Sequence, residues 1–452
     1  MSDARSLLVA AGMSETEAQR KQLLFERAVA VLSGFSDVDD RVVFRWWVPG
    51  RIEFLGKHTD YAGGRSLLCA AERGICLAAA LRRDDRVRVH DAISGDTLEF
   101  RMSESATDDS APQSGRWSVY VHAVASRIVR NFPTALIGAD IVIASDLPQA
   151  AGMSSSSALV VAIFLALARV NDIESRPEYR RAIRTNEQLA EYLGTIENGQ
   201  SFGELVGERG VGTFGGSEDH TAMLCARAGV LIQYAFCPVR LERTVPLPAD
   251  HVLVVATSGV AAEKTGAVRE RYNSLSRAAA EILERWESVT GERYPTLAAA
   301  VNGSPDAISR VSERLGADRL ARLEHFLLES ENFIPRAADA LADGDLEMLG
   351  TLVDQSQHGA EQLLGNQIPE TIFLARRARE LGAIAASAFG AGFGGSVWAL
   401  VRETGVAEFR AKWEEAYAAR FPAAAARSEI FVSRAGPGVV ELSPTENFTD
   451  RR

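Results

Sequence analysis

The chain has 452 residues, of which 46 % are apolar and 24 % charged, and its net charge is −11. These are the values of a folded globular protein, and they exclude whole-chain disorder or a fibrous repeat. The acidic balance argues against a nucleic-acid or anionic-membrane partner, which would need clustered Lys and Arg, but leaves room for a local phosphate pocket.

The length predicts two to three domains. The opening MSDARSLLVAAGMSETEAQR has an early acid and a short apolar run, unlike a secretory leader. The longest apolar run, Ala158 to Ala168, is too short for a membrane span. A cytoplasmic protein is expected by elimination. Cys69, Cys76, Cys225 and Cys237 stand far apart without a CxxC pair, which predicts buried free thiols and neither a disulfide framework nor a zinc site.

Residues 15–33 read as an amphipathic helix, and Arg41–Trp47 as a strand leading into Pro49-Gly50. Strands are predicted at Gly74–Leu81 and Arg86–His90, and a polar surface loop over Ser103–Gly115. A helix over Trp117–Val129 and a buried strand at Ala139–Ala144 follow. After Asp146-Leu147-Pro148 come a serine run, a helix over Ala158–Arg169 and another over Tyr179–Leu193. Seven glycines between Gly199 and Gly216 exclude a regular element and predict a loop near a site or a mobile lid. Strands are read at Val230–Phe236 and His251–Ser258, and helices at Glu270–Thr290 and Arg319–Leu341. The last third carries strands Ala383–Phe389, Ser396–Val401 and Glu429–Ser433 around a helix near 405–420. No fixed period repeats. The simplest partition is two α+β halves joined near 225–245, with domains over 1–235 and 236–452.

Three glycine-bearing clusters carry chemistry. Gly390–Gly395 (GAGFGG) satisfies GxGxxG, yet a strand rather than a helix follows it, and Glu414 and Glu415 lie in a helical run. That context opposes a dinucleotide site and favours a strand–strand turn packed close to a ligand or another backbone. A Walker A loop fails as well, because Gly50 and Gly56 are separated by five residues and Lys57 precedes His58. A GxSxG elbow is also absent.

The stretch Pro148 to Ser157 (PQAAGMSSSS) lies between a buried strand and an apolar helix. Its small residues let backbone N–H groups and a helix N-terminus point at an anion, and four serines exceed what one N-cap needs. A second cluster, Gly50 to Gly64 (GRIEFLGKHTDYAGG), packs Arg51, Lys57, His58 and Asp60 together. That mixture of donors and acceptors suits a polyhydroxylated ligand; the bland alternative is a solvated turn. The third, Gly215-Gly216-Ser217-Glu218-Asp219-His220, reads by itself as a turn, with Asp219 a possible proton acceptor.

In this order the clusters resemble the GHMP small-molecule kinases, and within them the galactokinases. That family carries GR-x-N-L-I-G-E-H-T-D-Y-x-x-G where this chain has GRIEFLGKHTDYAGG, P-x-x-x-G-L-S-S-S where it has PQAAGMSSS, and G-A-G-F-G-G at Gly390–Gly395. The resemblance implies a two-lobed α+β fold, with a ribosomal-protein-S5-like N-terminal lobe and a ferredoxin-like C-terminal lobe. It implies ATP and Mg²⁺ as cofactors, and a sugar whose anomeric hydroxyl is phosphorylated. Residue by residue, it implies Asp219 and Arg51 as the catalytic pair and Ser156 and Glu197 as magnesium ligands. Gly152, Met153, Ser154, Ser155, Ser156 and Ser157 would hold the phosphates. Trp117, in Trp117-Ser118-Val119-Tyr120, would lie near adenine; Lys57, His58, Asp60 and Gly216 would meet the sugar.

Two departures concern the acceptor. Lys57 stands where the family has Glu, and Gly266-Ala267 precede Val268-Arg269-Glu270-Arg271 where the family places a Tyr. A cation at 57 could select a uronic acid or bond to another hydroxyl. Arabinose, an amino sugar, and a catalytically silent sugar and ATP sensor are the further alternatives.

Overall fold

The protein is described by a computed structural model covering residues 3–35, 42–105, 117–134, 136–262 and 266–445. Among these residues twelve strands form two sheets: β1 (Val43–Leu55), β2 (Arg65–Leu81), β3 (Arg86–Asp91), β4 (Thr97–Arg101), β5 (Ala139–Ser145), β6 (Val230–Ala235), β7 (Arg240–Pro246), β8 (His251–Thr257), β9 (Ala385–Phe389), β10 (Ser396–Arg402), β11 (Ile430–Ser433) and β12 (Val440–Thr445). The larger sheet runs β12-β1-β2-β5-β3-β4, with β6 on the first part of β2 and β7 on β6. The smaller sheet runs β11-β8-β10-β9, all antiparallel. With helices between β8 and β9 and between β10 and β11, this is the expected ferredoxin-like βαββαβ pattern.

The apolar run of β2 is continuous because both of its faces are covered. Ala78 and Ala80 pack under Ala28, Val29 and Leu32 of the helix Glu15–Ser33. Leu77 and Ala79 alternate to the other face, against the core that holds the helix Ser155–Val170. Among the described residues no helix is long and apolar enough to cross a membrane. Cys69 and Cys76 are buried free thiols as expected, whereas Cys225 is half-buried and Cys237 exposed.

Several elements differ from the sequence reading. The first strand does not end at Pro49-Gly50; β1 continues to Leu55 through a bulge, where Pro49 pairs with Gly74 and Arg51 with Ala70. A bulge is a position where a strand tolerates proline, and it re-aims the residue that follows. The helix expected over Tyr179–Leu193 is two, Pro177–Ala182 and Asn186–Asn198, because Thr185 is extended and caps the second through the Gln188 amide. The helix expected over Arg319–Leu341 passes through a π-helical segment, Leu327–Phe333, just before Pro335, which has no N–H to donate. Most of the loop expected over Ser103–Gly115 lies outside the described residues.

The two lobes share their packing. Phe54 of β1 stacks on Trp398 of β10, with centroids 4.0 Å apart and planes 19° from parallel. Leu253, Val255, Phe389 and Leu400 join the same core as Ile52 and Leu67. The larger sheet also crosses the boundary read at 235/236, since it takes β7 and recovers β12 from the far end of the sequence. Trp398→Ala should therefore cost about 3–5 kcal/mol in urea unfolding, the range for a buried large-to-small change. A loss of no more than about 0.5 kcal/mol, ordinary for surface sites, would show that the lobes are packed independently.

Candidate active site

The bulge in β1 sends Arg51 and Glu53, two positions apart on one strand face, into a cleft. Arg51 is buried, with Nε 2.7 Å from Asp219 Oδ1 and 3.9 Å from Glu218 Oε1. One of its terminal nitrogens donates to the carbonyl of Gly152. Asp219 sits in the first turn of the helix Glu218–Cys225, where the helix dipole favours a carboxylate. The Ser157 hydroxyl lies 2.6 Å from Glu197 Oε1 and 3.3 Å from Asp219 Oδ2. Glu197 comes from the last turn of the helix Asn186–Asn198, and His220 Nε2 lies 3.3 Å from it.

The segment 56–64 closes the opposite wall. Thr59 Oγ1 donates to the Gly56 carbonyl at 2.8 Å, and His58 holds a left-handed φ of 59°. His58 Nε2 donates to the carbonyl of Ala391 at 3.0 Å, and Nδ1 shares a hydrogen bond with the Tyr61 hydroxyl at 3.0 Å. Asp60 Oδ2 accepts from the Glu218 amide at 3.2 Å. Gly216 is required beside it, because a Cβ there would stand 2.5 Å from that same oxygen. This segment is buried throughout apart from half-buried Tyr61, which excludes the solvated turn.

Charge is concentrated here. Burial, then the neighbouring charges of Glu53 and Asp60, hold Glu218 well above the ordinary carboxylate range. Burial also raises Glu53, against the pull of Arg51 and Lys57. Burial lowers Arg51, but Asp219, Glu53 and Glu218 more than offset it, and the guanidinium ends above its usual value.

The glycine turn Gly390–Gly395 joins β9 to β10 and presses on the serine loop. A Cβ on Gly390 would come 2.7 Å from the Gly152 carbonyl, and Ser396 Oγ donates to the Ala151 carbonyl at 2.5 Å. The turn is thus packed on another backbone, not on a helix N-terminus as a dinucleotide loop would be. Ser154, the N-cap of the helix Ser155–Val170, is left-handed at φ 57° and makes no side-chain cap bond. The first-turn amides of that helix are therefore not occupied by its N-cap side chain, which fits a phosphate. Hard oxygen donors on Ser157, Glu197 and Asp219 likewise fit Mg²⁺.

Of the residues singled out in the sequence, Arg51, His58, Asp60, Ser157, Glu197, Gly216 and Asp219 line this one cleft. The hydroxyl that bonds to Glu197 is that of Ser157, one position beyond Ser156. One expectation needs correction. Lys57 is not in the wall: its fully buried ammonium reaches Ser387 Oγ at 2.8 Å and Ser356 Oγ at 3.4 Å. Trp117, at the N-cap of the helix Ser118–Asn131, packs half-buried on the large core. Sequence reasoning missed Glu53, Glu218 and Tyr272. Tyr272 directly follows Val268-Arg269-Glu270-Arg271, and its ring lies 5.1 Å from His58 in the cleft wall. A tyrosine thus reaches the cleft from after that stretch rather than before it.

Known proteins match in the same places. The model for the GHMP kinases N terminal domain matches residues 119–203, that for the GHMP kinases C terminal matches 337–419, and the galactokinase galactose-binding signature matches 35–81. A galactokinase of Roseiflexus sp. (strain RS-1) is 31 % identical over 397 residues, covering 86 % of this chain and 91 % of that protein. A galactokinase of Streptomyces coelicolor is 31 % identical over 385 residues, 83 % of this chain and 88 % of its own. In fold, the Lactococcus lactis galactokinase complexed with galactose superposes with a TM-score of 0.76 at 23 % identity, over 93 % of this chain and 100 % of that one.

Lys57 lies inside the matched 35–81 stretch yet holds the lobes together instead of facing the cleft. Lys57→Glu should therefore destabilise the fold by about 3–5 kcal/mol, by leaving an uncompensated buried charge near Glu53. A variant as stable as the parent in urea, with a changed ligand preference, would return Lys57 to the pocket.

Proposed function

This chain belongs to the galactokinase family of GHMP kinases and is an ATP-dependent phosphotransferase acting on a sugar hydroxyl; from that premise we propose that it converts galactose, or a sugar of closely related shape, to the 1-phosphate. The observation that carries the reading is the Arg51–Asp219 pair, 2.7 Å apart, facing Ser157 and Glu197 across one cleft. The galactose-binding signature spans the segment that supplies Arg51, His58 and Asp60.

Phosphoryl transfer asks the protein for alignment and charge neutralisation more than for covalent chemistry. Asp219 takes the proton of the anomeric hydroxyl, whose oxygen forms the new bond to the terminal phosphorus of ATP as the bond to ADP breaks. An opposite charge at 2.7 Å favours the ionised carboxylate, so Arg51 keeps Asp219 able to accept that proton. His58 is held between Tyr61 and Ala391 and, with Asp60 and Tyr272, orients the sugar. The loop Gly152–Ser157 and the N-terminus of the helix Ser155–Val170 receive the phosphates. Glu197, with the hydroxyl of Ser156 or of its neighbour Ser157, would hold Mg²⁺, which neutralises phosphate oxygens when bound.

A carboxylate-bearing acceptor loses its basis, because Lys57 is turned away and the wall carries Glu53, Asp60, Glu197, Glu218 and Asp219. ADP release with Mg·ATP and a panel of neutral hexoses, pentoses, amino sugars and uronic acids should be fastest with galactose. Release with none of them would leave a silent sugar sensor. Asp219→Asn should retain the KM for ATP and lower kcat by roughly 10²–10⁴, the range for a general base. A variant as fast as the parent would remove Asp219 from the chemistry.

A further inference from the structure

We infer that Glu53 is an acceptor-binding residue whose Oε1 takes a hydrogen bond from a hydroxyl of the bound sugar. The inference rests on the sugar-kinase reading above and deepens it.

Glu53 is 3 % exposed, and its two oxygens are in unlike positions. Oε2 accepts from the Gly390 amide at 3.2 Å, at the tip of the glycine turn. Oε1 is buried and has no hydrogen-bond partner among the described residues. It belongs to a side chain that lines the cleft beside His58, Asp60, Asp219 and Tyr272. A buried carboxylate oxygen without a partner is costly, and such an orphan calls for an occupant that completes it.

The neighbouring cations are engaged elsewhere. Arg51 is held by Asp219 and the Gly152 carbonyl, and the Lys57 ammonium by Ser387 and Ser356. In its carboxylate form Oε1 accepts, and a sugar hydroxyl is the donor this cleft is shaped to receive. Arg51 is the one guanidinium or ammonium among the cleft-lining residues, against five carboxylates. The group that meets Glu53 is therefore not an acid.

The test measures KM and kcat for galactose, each single-deoxy galactose and galacturonate, on the parent protein, Glu53→Ala and Glu53→Gln. Glu53→Ala should raise the galactose KM roughly 10- to 100-fold, the loss of one charged hydrogen bond, with the ATP KM within about twofold. One deoxy sugar should be poor for the parent yet lose nothing further in Glu53→Ala, because both changes delete the same contact. Glu53→Gln keeps the shape and should show a smaller rise in the same direction, and it carries the test if the alanine protein does not fold. The inference falls if galactose KM is unchanged in the variants, if every deoxy sugar loses independently of Glu53, or if galacturonate rivals galactose on the parent. In those cases the kinase reading stands. A parent protein that turns over no sugar at all would remove both.

Discussion

One buried guanidinium organises the molecule. Arg51 grips Asp219, reaches the Gly152 carbonyl and lies 5.9 Å from the centre of the Phe389 ring. These contacts come from the acidic helix after the glycine-rich loop, from the serine loop, and from the strand that enters the last glycine turn. Only a planar, permanently charged group with several fixed donors can satisfy such partners at once. Burial disfavours it, and the surrounding carboxylates reverse that penalty. The local charge is thus a balance: a cation stable only among acids, and acids tolerable only around that cation.

Backbone strain gathers at the same place. Ala150 and Ser154 of the serine loop, His58 of the cleft wall and Phe393 of the glycine turn all hold left-handed φ angles between 49° and 59°. Conformations this costly for side-chain-bearing residues persist where the surroundings over-determine them. Here a core shared by both lobes, with Phe54 against Trp398, supplies the rigidity. The frame holds the loops that hold the charges.

Much of this was legible in the residues. The helix Glu15–Ser33 follows its apolar period, and the glycine turn at 390–395 was readable as a strand–strand connection because a strand pattern succeeds it. What escaped depends on three-dimensional placement. Pro49-Gly50 punctuates a local reading, yet β1 passes through it because pairing with β2 outweighs the local signal. Lys57 sits in a motif that suggests ligand contact, but its side chain leaves through the back of the segment toward Ser387. Ser157 is one of four like serines in the sequence, and only the helix turn brings it to Glu197. Tyr272 carries no signal of its own, because sequence spacing ahead of a motif says nothing about which residue of a following helix reaches the cleft. Glu53 had a visible signal, an acid two positions beyond Arg51 on the same strand.

β12 closes the larger sheet by pairing with β1, so Trp46 and Trp47 lie opposite Glu441 and Val440. A ribosome makes β1 long before β12, so that edge stays unpaired while all the chain between them is synthesised. The lobe that carries the cleft consequently reaches its final form only after the strands of the second sheet have been made, and its nascent edge needs shielding from other chains in the meantime.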